Sequence, residues 1–124
     1  MFSKILVANR GEIAVRVQQT LKTLGITTVA VYSDPDATAP HVLMADEAWP
    51  LGGESAAETY LDMEKIITIA LRCGVEAIHP GYGFLSENPR FARTCAEAGI
   101  VFIGPSPESM EALGDKISSK ELAQ

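Results

Sequence analysis

The segment 79–89, with the sequence HPGYGFLSENP, concentrates residue types that binding sites commonly use. Gly81 and Gly83 permit positive φ angles and close approach of the backbone to a ligand, while Tyr82 and Phe84 supply aromatic surface beside them. The segment exceeds the usual connection length of about 4–6 residues. Two interpretations are open: a wall of a binding site, or a surface turn whose aromatic side chains cover the core. Its position between a strand and a helix favours the binding site.

Glu87 stands near the end of this segment and also has two interpretations. Its carboxylate could orient a basic partner, or it could stabilise the start of the following helix through the helix dipole. Asn88 is predicted to cap that helix, with Pro89 at the first helical position.

A second polar stretch, Asn9-Arg10-Gly11-Glu12, lies between the first predicted strand and the first predicted helix. A dinucleotide fingerprint requires three spaced glycines, whereas this stretch has only Gly11, and the carboxylate of Glu12 would repel phosphate. Asn9 with Glu12 three residues later resembles a capping box, with Asn in place of the usual Ser or Thr. We therefore interpret the stretch as packing and capping, with Arg10 facing the site.

Lys116 is a third candidate, at the start of a helical segment. A lysine at this position is usually solvated, and the helix dipole disfavours its charge there. A lysine placed against that preference is a candidate ligand for an anion such as a nucleotide phosphate.

The remaining reactive side chains form no catalytic set. No Ser/His/Asp arrangement, carboxylate pair or metal-ligand cluster can be assembled around His41 and His79, and His79 is interpreted as a buried, hydrogen-bonded histidine. Cys73 and Cys95 lack Cys-x-x-Cys spacing and are interpreted as small core residues. We expect no metal site and no complete catalytic apparatus within these 124 residues.

The composition indicates one globular domain. The 124 residues are 47% hydrophobic and 21% charged, which is ordinary for such a domain. The net charge of -6 argues against nucleic acid as a partner, because phosphate backbones require clustered Lys and Arg. No apolar run approaches the roughly 18 residues of a membrane span. The expected location is the cytoplasm, or the mitochondrial matrix if a transit peptide has been removed.

Short apolar runs alternate with helical patterns along the chain. Runs without polar alternation predict strands covered on both faces; they are Ile5-Leu6-Val7-Ala8, Thr28-Val29-Ala30-Val31-Tyr32, Ala77-Ile78 and Val101-Phe102-Ile103. Apolar residues at helical spacing lie between them; they are Ile13/Val17/Leu21/Leu24, Met63/Ile66/Ile67/Ala70/Leu71 and Phe91/Cys95/Ala98. This rhythm predicts an α/β fold: a Rossmann-like, doubly wound, mainly parallel sheet with helices on both faces.

Three further regions are less regular. Residues 33–40 form a turn-rich excursion, followed by a short apolar patch at 41–45. A brief strand is expected around 47–51, near a sheet edge because Pro50 cannot donate a ladder hydrogen bond. The helical segment at 114–124 stops without a capping residue, which suggests a chain cut from something longer.

Together these stretches resemble the N-terminal, pre-ATP-grasp domain of biotin carboxylase, over the whole chain. The resemblance is carried by the following blocks: residues 5–14 (ILVANRGEIA), 29–34 (VAVYSD), 41–42 with 45–48 (HV and ADEA), 60–61 (YL), 79–88, 102–105 (FIGP) and 114–116 (GDK). It implies a domain at 1–113 and, at 114–124, the start of a connecting helix toward an ATP-grasp domain.

The resemblance also implies an activity and site residues. Biotin carboxylases use MgATP and bicarbonate to carboxylate the ureido nitrogen of carrier-bound biotin, with carboxyphosphate as intermediate. It implies that Lys116 contacts ATP, that Tyr82 and Gly83 line the biotin and bicarbonate side, and that Glu87 lies close to the reacting groups. The helix carrying Arg16 corresponds to a dimer interface in bacterial forms. Gln19 and Thr23 are uncharged where some bacterial homologues carry charges on this face, which argues against dimerisation through it.

The implied cofactors of the full-length parent are ATP, Mg²⁺ and biotin, none of them expected to bind the fragment tightly. The implied partners are the remaining carboxylase domains, a biotin carboxyl carrier domain, a carboxyltransferase and a second copy in a homodimer. The fragment itself is expected to be inactive, because the family's ATP-grasp residues lie beyond residue 124.

Alternative functions remain at this point. One is a non-catalytic module that binds a nucleotide or a partner protein; another is a different pre-ATP-grasp ligase such as carbamoyl-phosphate synthetase, which the 79–89 segment disfavours. Within the carboxylases, Gly114-Asp115-Lys116 favours an acyl-CoA carboxylase such as acetyl-CoA carboxylase over a urea carboxylase. A pyruvate carboxylase is a further alternative, since another domain selects the carboxyl acceptor.

Overall fold

The computed structural model describes residues 2–104. Five strands form one sheet in the order β3-β2-β1-β4-β5, and every neighbouring pair is parallel. In chain order the strands are β1 (Lys4–Val7), β2 (Thr27–Tyr32), β3 (Glu47–Pro50), β4 (Ala77–His79) and β5 (Val101–Phe102). The predicted parallel α/β sheet is confirmed.

Helices connect successive strands and cover both faces of the sheet. They are α1 (Gly11–Thr23), α2 (Pro40–Leu43), α3 (Met63–Cys73) and α4 (Pro89–Glu97). The strands are apolar throughout because side chains on both faces are buried. Ile5 and Val7 pack in a cluster with residues of α1, whereas Leu6 and Ala8 pack in a larger cluster with residues of α3 and α4.

Local sequence signals agree with several boundaries of the helices and strands. Asn88 caps α4, since its Oδ1 accepts a hydrogen bond of 3.1 Å from the Phe91 backbone N–H. Gly74 ends α3 in the left-handed conformation, as a C-terminal glycine commonly does. Strand β3 ends at Pro50 and lies at the sheet edge. This position was predicted because proline cannot donate a ladder hydrogen bond. The apolar patch at 41–45 contributes to a short helix, α2, that was not predicted.

The predicted capping box at the start of α1 is wrong. The helix begins at Gly11, with Arg10 at the N-cap position and no side-chain cap. The Asn9 carboxamide instead forms hydrogen bonds with main-chain groups of the 79–89 segment, which compete with a local helix cap.

Predictions for the last part of the sequence lie outside the described residues. They concern the boundary between 113 and 114, and Lys116.

Within residues 2–104, no helix combines the length and apolar character needed to cross a membrane.

Candidate functional site

The carboxyl ends of three adjacent strands bring the candidate residues together. Strand β1 pairs with β2 on one side and with β4 on the other, so the sheet changes winding direction between β1 and β4. In open α/β sheets, ligands bind outside the carboxyl ends of strands at such a switch point. Asn9 and Arg10 follow β1, Ser33 to Asp36 follow β2, and the segment 80–88 follows β4.

Asn9 holds the 79–89 segment through its main chain. Its side chain is buried, with 1% of the residue exposed, and its Nδ2 donates to the Pro80 carbonyl at 2.8 Å and to the Tyr82 carbonyl at 2.7 Å. Its Oδ1 accepts from the Arg10 backbone N–H at 2.8 Å. Two carbonyl partners require the amide nitrogen on that side, so the carboxamide is fully oriented by its neighbours.

Gly81 lies between those two carbonyl groups and is required for two reasons. Its φ is +66°, a left-handed angle that side chains disfavour. A Cβ there would lie 2.8 Å from Asn9 Nδ2 and 2.8 Å from Ile13 Cγ2. Gly83 also has positive φ, but no heavy atom lies within 4 Å of its Cβ position. The segment is therefore packed tightly at Gly81 and open at Gly83.

Tyr82 is exposed and lines two cavities against α1. The residue is 79% exposed. One cavity, of about 370 Å³, lies among Tyr82, Gly81, His79 and one stretch of α1; that stretch contributes Arg16, Val17, Thr20 and Leu21. A neighbouring cavity of about 230 Å³ is bounded by Tyr82 and by α1 residues 12, 13, 16 and 17. Tyr82 therefore does not cover the core, so that part of the alternative interpretation is wrong for this residue.

Phe84 behaves differently, because it packs partly buried against the larger core cluster. Its ring lies 5.3 Å from the ring of Tyr60, centroid to centroid, although its own φ is +47°. A positive φ at a bulky residue costs free energy, which the aromatic contact helps to offset. For Phe84 the core-covering interpretation is confirmed.

The Tyr60 hydroxyl belongs to a charged hydrogen-bond network centred on Asp36. Arg10 Nε and a second guanidinium nitrogen donate to the two oxygens of Asp36 at 2.6 and 2.8 Å. Asp36 Oδ2 also accepts from the Tyr60 hydroxyl at 2.7 Å and from the Ser33 hydroxyl at 3.1 Å. These hydrogen bonds, led by that of Arg10, hold the pKa of Asp36 below its usual range, and Asp36 raises the pKa of Arg10 in turn.

Sequence reasoning missed this network. Arg10 does lie at the predicted edge, where it, Asp36, Tyr60 and Phe84 line a cavity of about 210 Å³. No spacing rule links residues 10, 36 and 60, since three separate elements bring them together. The one available signal was the turn-rich sequence Asp34-Pro35-Asp36, which places carboxylates at a strand end.

The two histidines occupy separate positions. His79 Nδ1 accepts from the Gly81 backbone N–H at 3.1 Å, and burial lowers the pKa of His79. His41 is fully buried in α2, with Nε2 3.2 Å from the Val31 carbonyl oxygen, and burial lowers its pKa as well. Each histidine thus has one polar contact at a ring nitrogen. For His79 the predicted hydrogen bond is confirmed, whereas the residue is half-buried rather than buried.

The remaining candidates contribute little local geometry. Glu87 is exposed just before the Asn88 cap. Cys95 is fully buried, and burial raises the pKa of its thiol to about 11, so it is an unreactive core residue. Among residues 2–104, no group of three or more His, Cys, Asp or Glu side chains is arranged to hold a metal ion.

Comparison with known proteins gives this geometry a context. A sequence model of the biotin carboxylase N-terminal domain matches residues 1–110. The chain is 54% identical over 121 residues to the biotin-dependent acyl-coenzyme A carboxylase alpha3 subunit of Mycobacterium leprae, which covers 98% of this chain and 20% of that protein.

Two solved structures have the same fold. The urea carboxylase of Kluyveromyces lactis superposes with a TM-score of 0.92 at 55% identity, over 98% of this chain and 11% of that one. The biotin carboxylase domain of Hydrogenobacter thermophilus 2-oxoglutarate carboxylase, a dimer in complex with MgADP, ADP and bicarbonate, superposes with a TM-score of 0.90 at 58% identity, over 98% of this chain and 26% of that one. The chain thus spans about a quarter or less of these proteins. The chain belongs to the biotin carboxylase N-terminal domain family.

Proposed function

We propose that this chain supplies one wall of the biotin and bicarbonate site of a larger biotin-dependent carboxylase. The observation that carries the proposal is the arrangement of Tyr82 and Gly83: the tyrosine is 79% exposed, and space around the Gly83 Cβ position is open. Both stand on a segment whose main chain is fixed from below by Asn9. An exposed side chain on a fixed backbone is suited to contact a ligand.

The lining beside Tyr82 suits a small, mainly apolar molecule with polar edges. The cavity of about 370 Å³ is lined by the aromatic residue Tyr82, by the apolar residues Val17 and Leu21, and by residues with polar groups that include Arg16. Small-molecule sites are typically hydrophobic and aromatic, with a few polar groups that fix orientation. The fused ring of biotin, with its ureido group, has this character.

The reaction consumes ATP and bicarbonate and transfers a carboxyl group to the ureido nitrogen of biotin. The MgADP and bicarbonate named for the Hydrogenobacter thermophilus structure support these substrates for the whole enzyme. In our proposal Glu87 lies close to the reacting groups and Lys116 contacts ATP, as the family resemblance implies. The other ATP and Mg²⁺ contacts would come from the ATP-grasp domain.

The proposed parent is organised around this domain. In our proposal residues 1–113 belong to the N-terminal domain, and 114–124 lead toward the ATP-grasp domain. Its partners are a biotin carrier domain, a carboxyltransferase and a second copy of the carboxylase.

An acyl-CoA is our proposed carboxyl acceptor. The sequence Gly114-Asp115-Lys116 supports it. Overall similarity does not discriminate, because relatives named for acyl-CoA, urea and 2-oxoglutarate are 54%, 55% and 58% identical. A carboxylation assay of the full-length parent with acetyl-CoA, propionyl-CoA, pyruvate and urea tests this choice. Carboxylation of urea or pyruvate alone would contradict it.

The function itself is tested by ATP-dependent transfer of labelled bicarbonate to free biotin, using the full-length parent. We expect incorporation of label that requires both ATP and Mg²⁺. A parent that binds nucleotide but incorporates no label would instead support the non-catalytic module.

Lys116→Ala in the same parent tests the ATP contact. Hydrogen bonds between charged groups contribute about 1.5–3 kcal/mol, so we expect the KM for ATP to rise about tenfold or more. The control is Lys22→Ala, in the last turn of α1, which removes the same charge outside this segment and should leave the KM for ATP unchanged. An unaltered KM in Lys116→Ala would remove this residue from the site.

A further inference from the structure

We propose that Asn9 is a positioning residue for the biotin and bicarbonate side of the site: it sets the place of Tyr82 and Gly83 without contacting substrate. The inference rests on the proposed function and extends it to a residue outside the 79–89 segment. Three observations on the described residues carry it.

The first observation is where the hydrogen bonds of Asn9 go. A buried primary amide is costly unless its polar atoms are satisfied, and Asn9 satisfies both of its donors on carbonyl groups 71 and 73 residues away. The nearby α1 terminus, which an asparagine commonly caps, receives no side-chain cap. The side chain is therefore committed to the 79–89 segment.

The second observation is the geometry of that commitment. The two accepting carbonyls belong to Pro80 and Tyr82, so they bracket Gly81. A Cβ at Gly81 would lie 2.8 Å from Asn9 Nδ2 and equally close to Ile13 Cγ2. The main chain at Gly81 thus packs directly against Asn9 and Ile13. This packing fixes the direction of the main chain at Tyr82.

The third observation is that Tyr82 has little other support. With 79% of the residue exposed, its position cannot come from burial of its own side chain. It must follow from its main chain, and the Tyr82 carbonyl is one of the two groups that Asn9 holds. Loss of the Asn9 donors should therefore displace the ring and leave distant contacts intact.

The test uses steady-state kinetics of the full-length parent with free biotin, bicarbonate and ATP. Asn9→Asp keeps the side-chain shape but removes both N–H donors and places one carboxylate oxygen against the Pro80 and Tyr82 carbonyl oxygens. Gly81→Ala disturbs the same contact from the opposite side. For each variant we expect kcat/KM for biotin to fall at least about tenfold, while the KM for ATP stays within about twofold of the unmodified parent.

Gln18→Ala is the matched control, because Gln18 is also a fully buried amide. Its Nε2 donates to the His41 carbonyl at 2.7 Å, and its Oε1 accepts from the Thr28 hydroxyl at 3.2 Å, on the side of α1 that faces α2 and β2. We expect this variant to lower the melting temperature and to leave kcat/KM for biotin unchanged.

Each other outcome overturns the inference. Unchanged biotin kinetics in Asn9→Asp would show that the segment keeps its place without Asn9. Equal losses for ATP and biotin, or failure of both variants to fold, would assign Asn9 to general stability. An unmodified parent that carboxylates no biotin would refute the proposed function first, and the inference would fall with it.

Discussion

The two halves of the 79–89 segment are fixed in opposite ways. In the first half, residues 80–83, Asn9 binds two backbone carbonyls while the Tyr82 side chain stays exposed. In the second half, residues 84–88, side chains provide the support: Phe84 packs against the core, and Leu85 and Ser86 are buried. In the first half the backbone is held, so the side chains are free to contact a ligand. In the second half the side chains are packed in the core, so they are not available to a ligand.

This difference explains why one connection carries so many special residues. The first half needs glycine, since Gly81 rests on Asn9 with a positive φ. The second half needs apolar residues and a helix cap, which Leu85 and Asn88 provide. The core anchors one half so that the other can present Tyr82 to a site at the sheet edge.

The largest expected effect on stability is in the second half. Leu85 is 2% exposed, so Leu85→Ala should destabilise the chain by about 3 kcal/mol through lost burial and a cavity. Urea denaturation measures the change. The control is Leu43→Ala, which makes the same deletion at a residue 72% exposed and should cost less than about 0.5 kcal/mol. Equal costs for the two variants would show that the second half is not anchored by burial.

A smaller effect on stability is expected from a change in the charged network centred on Asp36. Asp36→Asn removes the charge that Arg10 and Tyr60 share, and we expect a loss of about 2 kcal/mol at pH 7. Because the pKa of Asp36 is lowered in the folded chain, its stabilisation is present above the unfolded value of about 3.9 and is lost as the pH falls below it.

Urea denaturation from pH 7 to pH 2 checks this prediction. The difference in unfolding free energy between the unmodified chain and Asp36→Asn should be constant at neutral pH and shrink below about pH 4. Asp34→Asn, a change at an exposed carboxylate in the same turn, should show a far smaller difference at every pH. A difference in unfolding free energy between the unmodified chain and Asp36→Asn that increases as the pH falls would contradict the lowered pKa of Asp36.

Sequence reasoning recovered features that depend on local pattern. The strands β1 and β2 were visible because continuous apolar runs follow from burial on both faces. The cap of α4 was visible because Asn88 and Pro89 are adjacent to the helix that they start. The interpretation of the 79–89 segment as a wall of a binding site stays a prediction.

Features that depend on tertiary contact were not recoverable in the same way. Asn9 was assigned to a helix cap, since its real partners at Pro80 and Tyr82 are more than 70 residues away. Asp36 and Tyr60 were passed over for the same reason. Polar residues near strand ends can form hydrogen bonds with local or with distant partners, and the sequence alone does not show which partners are used.

The most direct test of the account is Tyr82→Ala in the full-length parent. Because Tyr82 is exposed, its removal should change the unfolding free energy by less than about 0.5 kcal/mol, in contrast to Leu85→Ala. The same variant should reduce kcat/KM for biotin about tenfold, equivalent to ~1.4 kcal/mol, with little change in the KM for ATP. Unchanged kcat/KM for biotin would contradict the claim that the first half of the segment faces the substrates.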